Sequence, residues 1–188
     1  IAFATRGPGA TNASIGVHVA MQDSQPMILF IGDVDREMRG REGFQEIDFP
    51  AMFAPLAKWS ARIESAARIP EYVARAYATA INGRPGPVVL ALPEDMLLDR
   101  AEAIDRPRVD RVVQPCDPAA LDRLADLIAT AKHPVAIIGG AGWDDIAAAA
   151  TADWAARTKV PLVAAFRRQD AVPNDCPAYA GNLGYGPN

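Results

Sequence analysis

Four stretches of the sequence combine residue types and spacings that could do chemistry, and each follows an apolar run with the character of a strand. In open α/β sheets ligands bind beyond the carboxyl ends of strands, so a site is expected in loops of this kind. The first is Arg6-Gly7-Pro8-Gly9-Ala10-Thr11-Asn12. Gly7 and Gly9 let the backbone turn sharply and admit a ligand ring or phosphate closely. A helix starting beyond them offers N–H groups to an anion or a neutral acceptor. The third glycine of a dinucleotide fingerprint is absent, and no Gly-Lys-Ser/Thr follows to make a phosphate loop. A tight turn leading into a capped helix explains the same residues.

The second stretch runs from Gly32 to Glu46. Asp33, Asp35 and Glu37 alternate as calcium ligands do, but Met38 stands at the glycine position of an EF-hand loop and Phe44 at its closing glutamate. With Arg36, Arg39 and Arg41 among the carboxylates, a solvated, self-paired loop is expected and no metal site. Phe44-Gln45 differs in kind. An aromatic plane beside a neutral amide suits a small polar substrate next to a cofactor ring, and an ordinary helix start also accounts for it.

The third and fourth stretches are Gly139-Gly140-Ala141-Gly142 and Arg167-Arg168. A glycine cluster between a strand and a helix is a nucleotide-binding context, although the full G-x-G-x-x-G is not present. Asp144-Asp145 at the helix start stabilise the helix but compete with a phosphate. The arginine pair could clamp a phosphate or carboxylate, or be plain surface charge. Zinc or Ser–His–Asp chemistry fails on inventory: His18 falls mid-helix, His133 at a strand start, and neither has a partner nearby in sequence.

The elements that must carry these loops alternate. Strands are expected at Ile1–Ala4, Met27–Ile31, Trp59–Ile63, Val88–Leu92, Val135–Ile138 and Val160–Ala164. Helices are expected from about Thr11 to Met21 with Thr11 or Asn12 as cap, from Pro70, from Asp117 and from about Asp144 to Thr158. Apolar runs without alternation fit strands buried on both faces, so mostly parallel sheets with helices on each side follow. The expected organisation is two three-layer α/β/α units, residues 1–95 and 117–188, with a charged, proline-rich linker over 96–116. A chain opening in a strand and closing in the glycine-rich 181–188 is expected to be an internal piece of a longer protein.

Composition narrows the classes. The chain has 188 residues, 50% hydrophobic, which excludes disorder. Nineteen Lys+Arg against twenty-three Asp+Glu leave no basic footprint for nucleic acid. No run reaches the ~18 apolar residues of a spanning helix. Cys116 and Cys176 form neither a CxxC pair nor a disulfide framework, so a reducing, cytoplasmic setting is expected.

Five phrases in order then carry a resemblance: Arg6–Asn12, Gln22-Asp23-Ser24-Gln25-Pro26, Ile31-Gly32-Asp33-Val34, Gly43-Phe44-Gln45-Glu46, and Gly83-Arg84-Pro85-Gly86-Pro87-Val88 closing at Leu92-Pro93. The chain resembles thiamine diphosphate (ThDP)-dependent enzymes of the acetolactate synthase-like family over Ile1 to about Pro93. Pro134–Gly140 is similar to the start of that family's Rossmann-like central domain.

The resemblance implies a 2-oxo acid decarboxylase or carboligase, active as a homodimer or homotetramer. ThDP would lie between the pyrimidine-binding domain of one subunit and the diphosphate-binding domain of another. Gly7, Pro8, Gly9 and Asn12 would line the cofactor, and Phe44 and Gln45 would face the reacting centre. The activating glutamate is then expected before Ile1, and the Mg²⁺ ligands beyond Asn188. Phe166-Arg167-Arg168-Gln169-Asp170 departs from the glycine-rich loop of flavin-containing relatives and counts against FAD. Gly139, Gly140, Gly142, Arg167 and Arg168 remain candidates for a nucleotide. The rival readings are a stand-alone NAD-, FAD- or ADP-binding module without catalysis and a ligand-free structural piece.

Overall fold

The computed structural model describes residues 1–185, so Gly186, Pro187 and Asn188 of the expected terminal loop lie outside it. It comprises two compact units that divide between Val112 and Val113. In the first unit the strands are β1 (Ala2–Ala4), β2 (Met27–Asp33), β3 (Trp59–Arg62) and β4 (Pro87–Pro93), and the helices are α1 (Pro8–Gln22), α2 (Phe49–Phe53) and α3 (Ile69–Ile81). The strands form one parallel sheet in the order β1-β2-β4-β3.

The unbroken apolar runs of β2 and β4 are explained by what covers them. Leu29, Ile31, Val89 and Ala91 face a core built with Ala10, Val17, Phe49 and Phe53 from α1 and α2. Ile28, Val88 and Leu90 face the opposite core with Ala76 and Ala80 of α3. Both faces are dry, so no polar alternation survives. Met96 of the expected linker is fully buried in that second core, within a 3₁₀ turn at Met96–Leu98.

Helix α1 begins three residues before the expected start. Gly7 takes φ +58° and Pro8 occupies the first turn, where its fixed φ suits a helix and its missing N–H costs nothing. The expected cap at Thr11 or Asn12 is therefore wrong: the helix has no side-chain cap, and the Thr11 hydroxyl donates to the Gly7 carbonyl at 2.9 Å.

At the amino ends of the strands, Arg84 closes α1. Its guanidinium donates to the carbonyls of Met21 (2.9 Å) and Gln22 (3.2 Å) and to Ser24 Oγ (2.8 Å). Two phrases sixty residues apart in sequence are thus one contact, a cation on the last carbonyls of a helix. Lys58 does the same for α3, donating to the carbonyls of Thr79 and Asn82, and burial pulls its ammonium below the ordinary lysine range. Arg84→Ala should lower stability by about 1–2 kcal/mol, read as a drop in thermal midpoint with kcat unchanged.

The second unit holds α4 (Pro118–Thr130), β5 (Ala136–Ile138), α5 (Asp145–Thr158), β6 (Leu162–Ala164) and β7 (Tyr179–Asn182). Its sheet is parallel, in the order β5-β6-β7. Strand β7 takes in Gly181 and Asn182, the first two residues of the expected terminal loop, because pairing to β6 overrides their poor strand propensity. Trp154 and Ala155 of α5 pack with Leu162 and Ala164, while Ile137 on β5 is exposed. Asp117 caps α4 as expected, and Asp144, expected as the first residue of its helix, stands just before α5 and caps it by accepting from the Ala147 N–H at 2.7 Å.

Candidate functional site

Because every strand of the first unit points the same way, the segments after β1, β2, β3 and β4 meet at one edge of the sheet. There the first and second candidate stretches touch. A Cβ built on Gly7 would lie 2.6 Å from Gln45 Cβ and 3.3 Å from its Cα, so Gly7 is the only residue type that lets Gln45 sit where it does. Gln45 itself adopts φ +62°, a conformation uncommon for a residue with a Cβ. A Cβ on Gly9 would meet Thr5 Cγ2 at 2.7 Å. Both glycines therefore admit neighbouring protein atoms at the positions a Cβ would take.

Around this contact the expected site residues take different positions. Gly7 is buried, Gln45 half-buried, and Pro8 and Asn12 are exposed at the start of α1. Phe44 is 77% exposed, an aromatic face left open beside the Gln45 amide. The wall carries neutral hydrogen-bonding groups and one apolar ring.

The arginines of the second stretch do not pair within it, contrary to expectation. Arg36 donates to Asp95 (Nε–Oδ2 2.6 Å), to Asp99 (2.9 Å) and to the Glu64 carbonyl (3.0 Å). Arg39 bonds both carboxylate oxygens of Glu64, at 2.9 and 3.0 Å. The loop is thereby tied to the segments that follow β3 and β4. Asp33, 1% exposed at the end of β2, accepts from Arg62 at the end of β3 and from the Val34 N–H at 2.9 Å. Arg6 Nη1 reaches Glu94 at 2.7 Å and the Asp33 carbonyl at 3.4 Å. Thr5, Arg6, Gly32, Asp33, Leu92, Glu94 and Leu97 line a cleft of about 220 Å³ at this edge.

The sequence reading missed Arg62 and Glu94. Their signal was position alone, one at a strand's last residue and one just after a strand, since neither belongs to a glycine-rich or motif-like phrase. Glu46 closes the loop: its carboxylate accepts from Gly40 N (2.6 Å) and Gly43 N (2.9 Å), and these two bonds hold it below the usual carboxylate range.

In the second unit the third and fourth candidate stretches also meet. Arg168 Nε donates to the Gly140 carbonyl at 2.5 Å, and Trp143 Nε1 to the Gly139 carbonyl at 2.8 Å. Gly140 and Gly142 both have positive φ. Arg167 lies over the Phe166 ring at 5.5 Å. The loop's geometry is thus fixed by side chains of its own unit. His18 and His133 are both exposed. Among the described residues no group of His, Cys, Asp and Glu is arranged to hold a metal ion, and no helix is long and apolar enough to cross a membrane.

Comparison with known proteins matches both units. A family model described as the thiamine pyrophosphate enzyme N-terminal TPP binding domain matches residues 1–52, and one described as that enzyme's central domain matches residues 121–188. A probable acetolactate synthase large subunit of Methanocaldococcus jannaschii is 31% identical over 98% of this chain and 32% of its own length. The acetolactate synthase isozyme 2 large subunit of Escherichia coli K12 is 31% identical over 98% of this chain and 34% of its own. The chain thus spans about a third of the length of these relatives. A solved benzoylformate decarboxylase from Polynucleobacter necessarius superposes with a TM-score of 0.85 and 31% identity, over 96% of this chain and 34% of that one.

Proposed function

The chain belongs to the thiamine pyrophosphate enzymes, and from that premise we propose that it forms one wall of the cofactor and substrate pocket of a 2-oxo acid decarboxylase or carboligase. The observation that carries this reading is the packing of Gln45 against Gly7, which joins the two phrases assigned to cofactor and substrate at one sheet edge. The donor set fits ThDP. Asn12 and Gln45 are neutral amides, and the first turn of α1 leaves N–H groups without helical acceptors. Phe44 adds an exposed ring, and the nearby charges are engaged with one another.

When bound, ThDP supplies the nucleophilic carbon for a 2-oxo acid carbonyl, chemistry that belongs to the cofactor. This chain's residues position and select. Gly7, Pro8, Gly9 and Asn12 form the cofactor side. The Gln45 amide donates to the substrate's carbonyl oxygen as negative charge builds there, without itself changing charge. Phe44 keeps water from that oxygen. Mg²⁺ is proposed as a companion of the diphosphate, with none of the described residues assigned to it. A homodimer or homotetramer is proposed, supported by the open face of Phe44, and a cytoplasmic setting, supported by the exposed free thiol of Cys116.

Gln45→Ala in the full-length enzyme, assayed with pyruvate and benzoylformate as probes, should lower kcat by about 10²–10³-fold, the size expected for one lost oxyanion donor. Unchanged turnover of a probe that the unaltered enzyme accepts would remove Gln45 from the reaction.

A further inference from the structure

We propose that Glu46 is a positioning residue that acts through Gln45: its carboxylate, bound to the Gly40 and Gly43 amides, fixes the loop in the one shape that sets Gln45 against Gly7. The proposal rests on the reading of Gln45 given above. Three residues of this short segment, Gly40 (φ +76°), Glu42 (φ +57°) and Gln45 (φ +62°), lie in the left-handed region. Two of them carry a Cβ and resist that conformation, so something outside their own preference must hold it.

Among the described residues, the side chain bonded to the amides between residues 40 and 46 is that of Glu46, at 2.6 and 2.9 Å, and its own N–H donates to the Gly43 carbonyl at 2.9 Å. The three bonds close the chain on itself between residues 40 and 46. Gln45 sits directly before the group that closes the ring, and its Cβ is trapped on the other side by Gly7. A carboxylate is suited to this task because it only accepts, and both of its partners here are donors. The charge is steadied further by Arg62. Arg36 and Arg39 anchor the opening half of the loop to other segments, whereas the closing half depends on Glu46.

The test is a double-mutant cycle in the full-length enzyme. Glu46→Gln keeps the shape but turns one acceptor into a donor facing an N–H. It should lower kcat roughly 10–100-fold with KM changed less than about threefold, because the loss is one of geometry rather than of substrate binding. In the Gln45→Ala background the same change should have almost no further effect on kcat, since the residue it positions is gone.

A second readout needs neither cofactor nor turnover. Amide hydrogen exchange of the peptide spanning residues 38–48 should accelerate at least about tenfold in Glu46→Gln, with the rest of the first unit unchanged. Equal losses of kcat in both backgrounds, or unchanged exchange in the loop, would overturn the proposal. If Gln45→Ala leaves kcat intact, the reading of Gln45 itself falls. If Gln45→Ala is impaired and Glu46→Gln is not, only the role of Glu46 falls. Should Glu46→Gln fail to fold, Glu46→Asp, too short to span both amides, carries the same cycle and the same expectations.

Discussion

Asp33→Ala should destabilise the first unit by about 3–5 kcal/mol, the loss expected when one member of a buried ion pair is removed and its partner stays. The carboxylate is 1% exposed and the Arg62 side chain 13% exposed, so water cannot replace what alanine deletes. The Val34 N–H loses its acceptor as well, at the point where the chain leaves β2 for the site loop. Urea denaturation of the enzyme should show an early transition for this unit in the variant. The double variant Asp33→Leu, Arg62→Leu should recover part of the loss, because an apolar pair of similar volume avoids an unpaired cation. An Asp33→Ala protein within about 1 kcal/mol of the original would mean that the pair contributes little to folding.

The second large effect is on turnover. Gly7→Ala introduces a Cβ 2.6 Å from Gln45 Cβ and 3.3 Å from its Cα, so the Gln45 backbone itself must move. On the proposed role of Gln45, a displacement of about 1 Å there should lower kcat by roughly a hundredfold. The left-handed φ of +58° adds about 1–3 kcal/mol of strain. Gly83→Ala separates the two causes. Gly83 has φ +60° but nothing within 4 Å of a built Cβ, so this variant should lose comparable stability and keep its kcat. Parallel thermal melts and steady-state assays on the two variants decide between collision and strain. Equal kcat in both would sink the assignment of Gln45 to the reacting centre.

The pattern of residues made the parallel sheet legible because β2 and β4 are apolar at every position that both cores require. The motif phrases likewise pointed to Gly7 and Gln45. What they did not reveal was the reason for the glycine, since its close neighbour stands almost forty residues away and is no ligand. The ion pairs were the least legible. Asp33 and Arg62 are separated by 29 positions and sit on strands that flank β4, so their encounter exists only after the sheet is ordered. Neighbouring arginines and carboxylates in one loop invited a local pairing, yet the segments arriving after β3 and β4 offered better-placed partners in Glu64, Asp95 and Asp99. Strand β7 escaped notice because Ala180, Gly181 and Asn182 have little strand propensity of their own and depend on β6.

The parallel arrangement also separates two kinds of residue by the length of a strand. Arg84 and Lys58 tie helix ends at the amino edge, while Gln45, Gly7 and Glu46 gather at the carboxyl edge. Anyone wishing to harden this protein against heat can rework the former without touching the loops at the carboxyl edge. Variants in the latter set can be made on a frame whose fastenings lie out of reach.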